Sequence, residues 1–380
     1  MNTLTSGRAT DSPRNDVNDD YSGVILSSPG EIRQLREVVE RSLQQDDTIL
    51  DPEFFLASVS KGWEPRVVVV HSAREVIGIM YAQERVISGV PTGVVYADGS
   101  LGGVLLANSM HQRNAFRVAV ETLLGSPKVR GVRLRVVRGG CELSAIRQLT
   151  ASWRLDAHYS RIKYGYSPIW KHHAHLHLAD SYEQFLMGLG NTTRRNFRYY
   201  RRRFEASGHS LREHLSMGEL RSAVLTLVPK STLANRPSRI TIERALNLVA
   251  AARRPLAIGL KHHNGEWLSV IGGWYKPHGA VLFLQHNNNR DFGPYSLSVV
   301  LRAYLIESLI RERLNELVMW ADTGPPLSRY VTYMPTIGVH LDVPTYVWRV
   351  ARGFISTVGP WLPRRLASAA QWVVPHPFSS

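Results

Sequence analysis

The sequence predicts an α/β protein of two similar domains in tandem, each a mixed central sheet flanked by helices. Three observations carry this prediction. One order of elements recurs about 190 residues apart, the spacing within the two copies agrees, and a chain of 380 residues is long for one domain. The first copy reads "PRVVVVHSAREVIGIMYAQERV", then "GVVYADGSLGGVLLANSMHQRNAFRVAVETLL", then "GVRLRVV". The second reads "PLAIGLKHHNGEWLSVIGGWYK", then "AVLFLQHNNNRDFGPYSLSVVLRAYLIESLI", then "ELVMWAD". Each gives a strand, a tight turn, a strand, a third strand, a glycine-containing loop, a long amphipathic helix and a closing strand. Pro65 to Gly102 is 37 positions and Pro255 to Gly293 is 38.

Taken in order, residues 1–22 are polar, rich in Asp, Asn and Ser, and lack the apolar core of a signal peptide, so a disordered tail is expected there. Residues 23–170 form the first domain. It opens on the amphipathic "SPGEIRQLREVVERSLQ" and carries a turn at Ser72-Ala73-Arg74. Residues 171–345 form the second, whose Asn264-Gly265 is a strong hairpin signal. It is entered through "KHHAHLHLAD", where His173, His175 and His177 share one face of a strand. Without a carboxylate or thiolate partner near them, these imidazoles are read as a polar face, and no metal is expected.

The short helix "DSYEQFLMGLG" and an arginine-rich helix, "TTRRNFRYYRRRFEASG", follow. Thr192 or Thr193 suits the N-cap of the second and Gly208 its C′ position, which brackets roughly fourteen residues. Phe197, Tyr200 and Phe204 share one arc, and Arg195, Arg198 and Arg202 line the opposite side. The helix is expected to dock through its aromatics and to present guanidinium groups to phosphate or carboxylate, a solvated face being the plain alternative. The segment 346–380 mixes Trp348, Trp361 and Trp372 with Arg349, Arg352, Arg364 and Arg365. It suits an anionic membrane surface or packing onto the body of the protein.

The formal net charge of +15 favours anionic partners: nucleic acid, phosphorylated carriers or anionic lipid. Cys141 stands alone, which excludes an intramolecular disulfide and a multi-thiolate zinc cluster and suits a cytoplasmic location. No apolar run approaches the ~18 residues of a membrane span, so any attachment is expected to be peripheral, at the inner face of the membrane.

The arrangement resembles tandem GNAT-fold acyltransferases of the FemAB and CelD-like type over roughly residues 24–345. The likeness rests on "DSYEQFLMGLGNTTRRNFRYYRRRFEASG", on "RDFGPYSLSVVLRAYLIESLI" and on "WADTGPPLSRYVTYMPTIG". Arg329 stands where the family usually has lysine, and Gly293-Pro294 reverses its usual order. The resemblance implies acyl-CoA as co-substrate, no tightly bound cofactor, and a small-molecule, glycan or lipid amine as acceptor, as in polysaccharide or cell-envelope synthesis. It places the carrier's pyrophosphate at a helix N-terminus, with Arg290, Gly293 and Ser296 as binding residues. A plain helix start with Pro294 at its first position is the alternative. The first half has Gly99, Gly102 and Gly103 but no basic residue in that loop, so donor binding is expected in the second half.

For proton transfer, His286 ends the strand that feeds the loop and has an ordinary pKa near 6.5 suited to a base. An exposed hairpin histidine is the other reading. Asp322, after the closing strand, would orient the acceptor or take a proton, or else simply forms a turn. Tyr295 would protonate the leaving thiolate or cover the loop. Arg195, Arg198, Arg202 and Arg329 are the substrate-binding candidates. The rival expectations are aminoacyl transfer from charged tRNA and a non-catalytic nucleic-acid-binding module; no base-reading signature supports the latter. Oligomeric state is not legible in the sequence.

Overall fold

The computed structural model describes residues 21–41, 48–59, 61–73, 75–97, 105–107, 110–137, 140–153, 155–161, 173–231, 237–320, 323–324, 326–333, 336–343 and 357. Asp322, residues 1–20 and residues 346–380 apart from Thr357 lie outside the described residues.

The first half runs β1 (Tyr21–Leu26), α1 (Pro29–Arg41), α2 (Pro52–Ser58), β2 (Trp63–Pro65), β3 (Val67–Ser72) and β4 (Glu75–Met80). It continues through β5 (Gln83–Ile87), β6 (Val90–Ala97), β7 (Leu105–Ala107), α3 (Gln112–Gly125), β8 (Gly131–Val137), α4 (Cys141–Trp153) and β9 (Asp156–Arg161). β1 begins at Tyr21 and pairs antiparallel with β3, Tyr21 opposite Ser72. Helix α1 buries Ile32, Leu35 and Val39, the i, i+3, i+7 stripe of an amphipathic helix. Where the sequence pattern after Pro65 suggested three strands before the long helix, five, β3 to β7, are found among the described residues. The chain breaks after β4 at Tyr81, whose buried ring and hydroxyl bond to the Leu50 carbonyl (2.8 Å) turn it inward. As a result β1-β3-β4-β7 make one sheet, while β5 and β6, joined by a turn with positive φ at both Ser88 and Gly89, pass to another.

The second half runs β10 (Ala174–His177), α5 (Tyr182–Gly188), α6 (Asn191–Ala206), β11 (Ser210–Arg212), α7 (Met217–Leu227), α8 (Arg239–Ala251) and β12 (Pro255–Lys261). Then come β13 (Trp267–Lys276), β14 (Gly279–Asn287), α9 (Asn289–Phe292), α10 (Leu297–Arg311), β15 (Glu316–Met319), β16 (Thr332–Tyr333) and β17 (Thr336–Asp342). Its sheet has the order β11-β12-β13-β14-β15-β10-β16. Alternation along the strands sends Ile258, Ile271 and Leu282 to a core shared with α5, α6 and α10. Ala257, Val270 and Leu284 go to the opposite core, shared with α7 and α8. These last two helices were not foreseen, although α7 opens on a capping box, Ser216 with Glu219.

Two features tie the halves together. Phe54 of α2 packs with Leu248 and Ala252 around Trp274, and Arg253 reaches Asp51 and Glu40 (3.0 Å for the latter). In addition, β17 leaves the second half and inserts between β8 and β9, completing the sheet β2-β5-β6-β8-β17-β9. The protein is thus a mixed α/β fold of three sheets flanked by helices.

Candidate active site

β14 and β15 run parallel only from Gly279 opposite Glu316 to Leu282 opposite Met319. The Trp320 amide donates to the Leu282 carbonyl (2.9 Å) at the point of separation. Beyond it β14 continues to Asn287 with only β13 beside it among the described residues. The cause lies in the register of β13 against β14, which jumps from Gly273–Leu282 to Gly272–Leu284 and leaves Phe283 as an extra residue. Such a bulge bends the strand that carries it. Glycine is required at 273, where a Cβ would lie 1.8 Å from the Val281 carbonyl oxygen. Phe283, Trp274 and Trp320 pack edge-on at the separation, with ring centroids 5.2–5.6 Å apart.

Arg302 reaches from α10 across this wedge. Its Nε donates to Gln285 Oε1 on β14 (2.9 Å) and its Nη1 to Thr323 Oγ1 beyond β15 (2.8 Å). Both partners are neutral, and among the described residues no carboxylate pairs with it. Burial pushes its pKa down to about 10, which still leaves a full positive charge at neutral pH. A buried cation whose described partners are all neutral is costly in a folded core, so it is suited to stabilise an anion or a developing oxyanion. Sequence reasoning passed over Arg302. The available signal was a lone charge inside the apolar run "LSVVLRAYLI".

The loop between β14 and α10 follows the expected order with different local geometry. Asn288, buried, caps α9 by accepting the Asp291 amide (3.1 Å), and Arg290 and Gly293 are exposed beside it. Pro294 lies in a 3₁₀ turn, Gly293–Tyr295, and is not the first residue of the long helix. That helix starts at Leu297 after Ser296, a left-handed residue (φ 48°) whose side chain caps nothing. Open first-turn amides remain there for an anion. Tyr295 directs its hydroxyl to Ser207 Oγ (3.2 Å), with the Arg203 guanidinium 4.8 Å above its ring.

His286 is not an exposed hairpin residue. It is 8 % exposed, opposite Val270 on the α7–α8 face of β14. Burial pushes its pKa down, and its Nδ1 has no partner. A neutral imidazole at neutral pH results, in the state a proton acceptor needs.

The chain resembles FemX in fold. The FemX crystal structure superposes with a TM-score of 0.60 over 87% of this chain and 99% of that one, at 11% identity. A conserved protein of unknown function from Bacteroides thetaiotaomicron gives 0.53 over 84% and 100% at 12% identity, and L-PGS from Bacillus licheniformis gives 0.51 over 85% and 95% at 9%. No protein-family model matches the sequence, and no curated protein matches it. The likeness is one of fold: a mixed α/β chain of sheets flanked by helices.

Helix α6 has sixteen residues, and its N-cap is Gly190, two or three positions before the expected Thr192 or Thr193. The Tyr330 hydroxyl accepts the Gly190 amide (2.9 Å) and lies 3.4 Å from Thr193 Oγ1, which draws the chain neighbour Arg329 to this end of the helix. Phe197 and Phe204 are buried and Tyr200 packs against the same core, as the periodicity required. Gly208, with φ +72°, ends the helix. The arginines divide. Arg201 is structural, bonded to Glu205 (3.0 Å) and Glu307 (2.8 Å) and stacked 4.4 Å from Tyr304. Arg203 meets the loop before α10 through the Pro294 carbonyl (3.3 Å). Arg195, Arg198 and Arg202 are exposed, and Arg198 pairs with Glu183 (2.6 Å). Arg195 is eight residues from Arg203, about 12 Å along the axis at 1.5 Å per residue. The structure therefore brings Arg203, rather than Arg195 or Arg329, to the loop.

On β10, His175 does have a carboxylate partner. Its Nδ1 lies 2.8 Å from Glu316 Oε1, 141 residues away in the chain, with Lys276 on the other oxygen (3.1 Å). Among the described residues no helix is long and apolar enough to cross a membrane.

Proposed function

We propose that the chain is an acyltransferase of FemAB and CelD-like type that moves an acyl group from acyl-CoA to an amino group of a sugar, lipid or related metabolite. The observation that supports this reading is the wedge between β14 and β15, with buried Arg302 at its back and the uncapped start of α10 beside it. Separated parallel strands leave backbone donors and acceptors unpaired along their inner edges, where an extended, amide-bearing carrier arm can lie. The α10 amides and Arg290 would hold its phosphates.

In this reading a neutral acceptor amine attacks the thioester carbonyl, the new C–N bond forms, and the carbonyl pair moves onto oxygen, whose charge Arg302 offsets. Collapse of that intermediate breaks the C–S bond, and the thiolate leaves. His286 takes the proton shed by nitrogen, Asp322 orients the acceptor, and the thiolate is protonated by Tyr295 or by water.

A second donor, charged tRNA, is favoured by specific observations: the net charge of +15 and the exposed Arg195 and Arg202 on α6. Thermal melts with CoA, acetyl-CoA, a long-chain acyl-CoA and charged tRNA separate the two. A donor at 100 times its Kd stabilises by about 2.7 kcal/mol. Stabilisation by tRNA alone would transfer the proposal to aminoacyl transfer, and stabilisation by none would end both. A lipid acceptor fits a C-terminal segment that binds anionic liposomes at low salt and releases them at high salt, which sedimentation of full-length and truncated protein would test.

A further inference from the structure

A second cluster of chemistry-bearing side chains lies at the β11 edge of the seven-stranded sheet. Ser210 of β11 pairs with Lys261 of β12, so extending the antiparallel register by one residue sets His209 opposite His262. His262 also begins the tight turn to Glu266, closed by the His262 amide on the Glu266 carbonyl and the Gly265 amide on the His262 carbonyl (2.8 Å each). His263 is its next residue. The ring centroids are 4.6 Å apart for His209 and His262, 3.9 Å for His262 and His263, and 5.7 Å for His209 and His263. One ring nitrogen from each residue lies within 4.8 Å of the other two.

Aromatic packing alone does not account for this arrangement. Both ring nitrogens of His209 are buried and neither has a hydrogen-bond partner. An imidazole carries one donor and one acceptor when neutral and two donors when protonated, so ordinary core packing leaves it unsatisfied twice over. Phe204, Phe292 and Tyr295 form the floor beneath it, at 5.2–6.3 Å, and offer no replacement on the side they cover. His263 is exposed, so the open side of the cluster faces solvent.

We propose that His209, His262 and His263 form a three-histidine site for a divalent transition-metal ion of the zinc class, with a fourth position open to water. Three imidazoles without a carboxylate or thiolate suit zinc, cobalt, nickel or copper and not calcium or magnesium. Among the described residues no acidic side chain joins the group. Zn–N bonds of about 2.0–2.1 Å in a tetrahedron require nitrogens roughly 3.3 Å apart, so the cluster closes by about 1.5 Å on binding, a swing the exposed His263 supplies. The Asn264 amide donates to His262 Nδ1 over a long 3.3 Å, a bond that ligation through Nδ1 would give up and ligation through Nε2 would keep. The ion would pin the β12–β13 turn and β11 to Phe292 and Tyr295, hence to the loop before α10. This inference does not depend on the acyltransferase reading.

The test uses full-length protein without a polyhistidine tag, stripped with chelator, titrated with Co²⁺ and Zn²⁺ and followed by visible absorption, calorimetry and thermal melting. One equivalent is expected, with tetrahedral or five-coordinate Co²⁺ bands and a melting point raised by zinc. His209→Ala and His262→Gln should each weaken binding on the order of 100-fold. His263→Gln, in an exposed turn, gives the same reading if the buried variants fold poorly. Binding unchanged in His263→Gln, or binding lost instead in a His173→Gln, His175→Gln, His177→Gln variant, would overturn the proposal, as would failure of the wild type to bind a single equivalent.

Discussion

Replacing Asp342 with Asn should destabilise the whole protein by about 3–5 kcal/mol. Asp342 ends β17 and sits opposite Gly131 of β8, where its Oδ1 accepts from Arg133 Nη1 at 2.7 Å. The two side chains are 1 % and 5 % exposed, so the pair is screened by neither water nor salt. Asn keeps the volume and removes the charge, which leaves a buried guanidinium without its counter-ion; breaking one partner of such a pair costs about 3–5 kcal/mol. For a cooperative unit of 150–250 residues each kcal/mol moves Tm by about 2–4 °C, so a drop of roughly 6–20 °C is expected in a thermal melt, within one transition. Gly131→Ala should act in the same direction, since its Cβ would lie 2.4 Å from Asp342 Oδ1. The paired replacement Arg133→Met with Asp342→Leu should recover most of the loss, because apolar isosteres avoid desolvating two charges. An Asp342→Asn protein that melts within 2 °C of wild type would refute the reasoning.

Other perturbations read the site more directly. His286→Ala should lower kcat by roughly 10²–10⁴ and abolish the acidic limb of the pH–rate profile, whose midpoint in the wild type should fall below ~6.5 because burial lowers the His286 pKa; unchanged turnover would remove it from the proton path. Arg302→Met should hold or raise stability by about 1–3 kcal/mol while sharply raising KM or lowering kcat, since it removes a buried charge that no carboxylate among the described residues offsets. Loss of stability without loss of activity would make Arg302 a structural residue. Glu316 has its pKa lowered to about 2, first by the His175 hydrogen bond and then by Lys276. A depressed carboxylate stabilises fully above about pH 4.5 and loses that contribution as pH falls towards 2, so Glu316→Gln should cost about 1–2 kcal/mol at pH 7 and nothing near pH 2 by denaturant titration. Replacing Arg195, Arg198 and Arg202 together by Gln should leave the melt intact and raise the apparent KM; unchanged kinetics would make this a solvated face.

Local periodicity carried much of the fold. The aromatic arc of α6, the turn at Asn264-Gly265 and the long apolar helix α10 are encoded within a few neighbouring residues. What periodicity could not supply was pairing at a distance. His175 looked unpartnered because Glu316 lies 141 positions away, on a strand whose adjacency only the fold creates. Arg302 reads as one more surface charge until Gln285 and Thr323 are seen to enclose it. His209 and the His262-His263 pair lie in separate motifs, joined only by the register of β11 on β12. Helices α7 and α8 lie outside the repeated strands, although Ser216 with Glu219 is a start signal visible in the sequence.

The exchanged strand also sets a timetable. β8 and β9 have been synthesised by Arg161, yet the strand that belongs between them ends at Asp342, about 180 residues later. At 5–20 residues per second the ribosome needs roughly ten to thirty-five seconds to deliver it. For that interval the nascent first half leaves open the edges of β8 and β9 that β17 will later cover, the condition under which edges recruit foreign strands. Arg133, already in place on β8, awaits its carboxylate throughout and keeps a charge on that edge until Asp342 arrives.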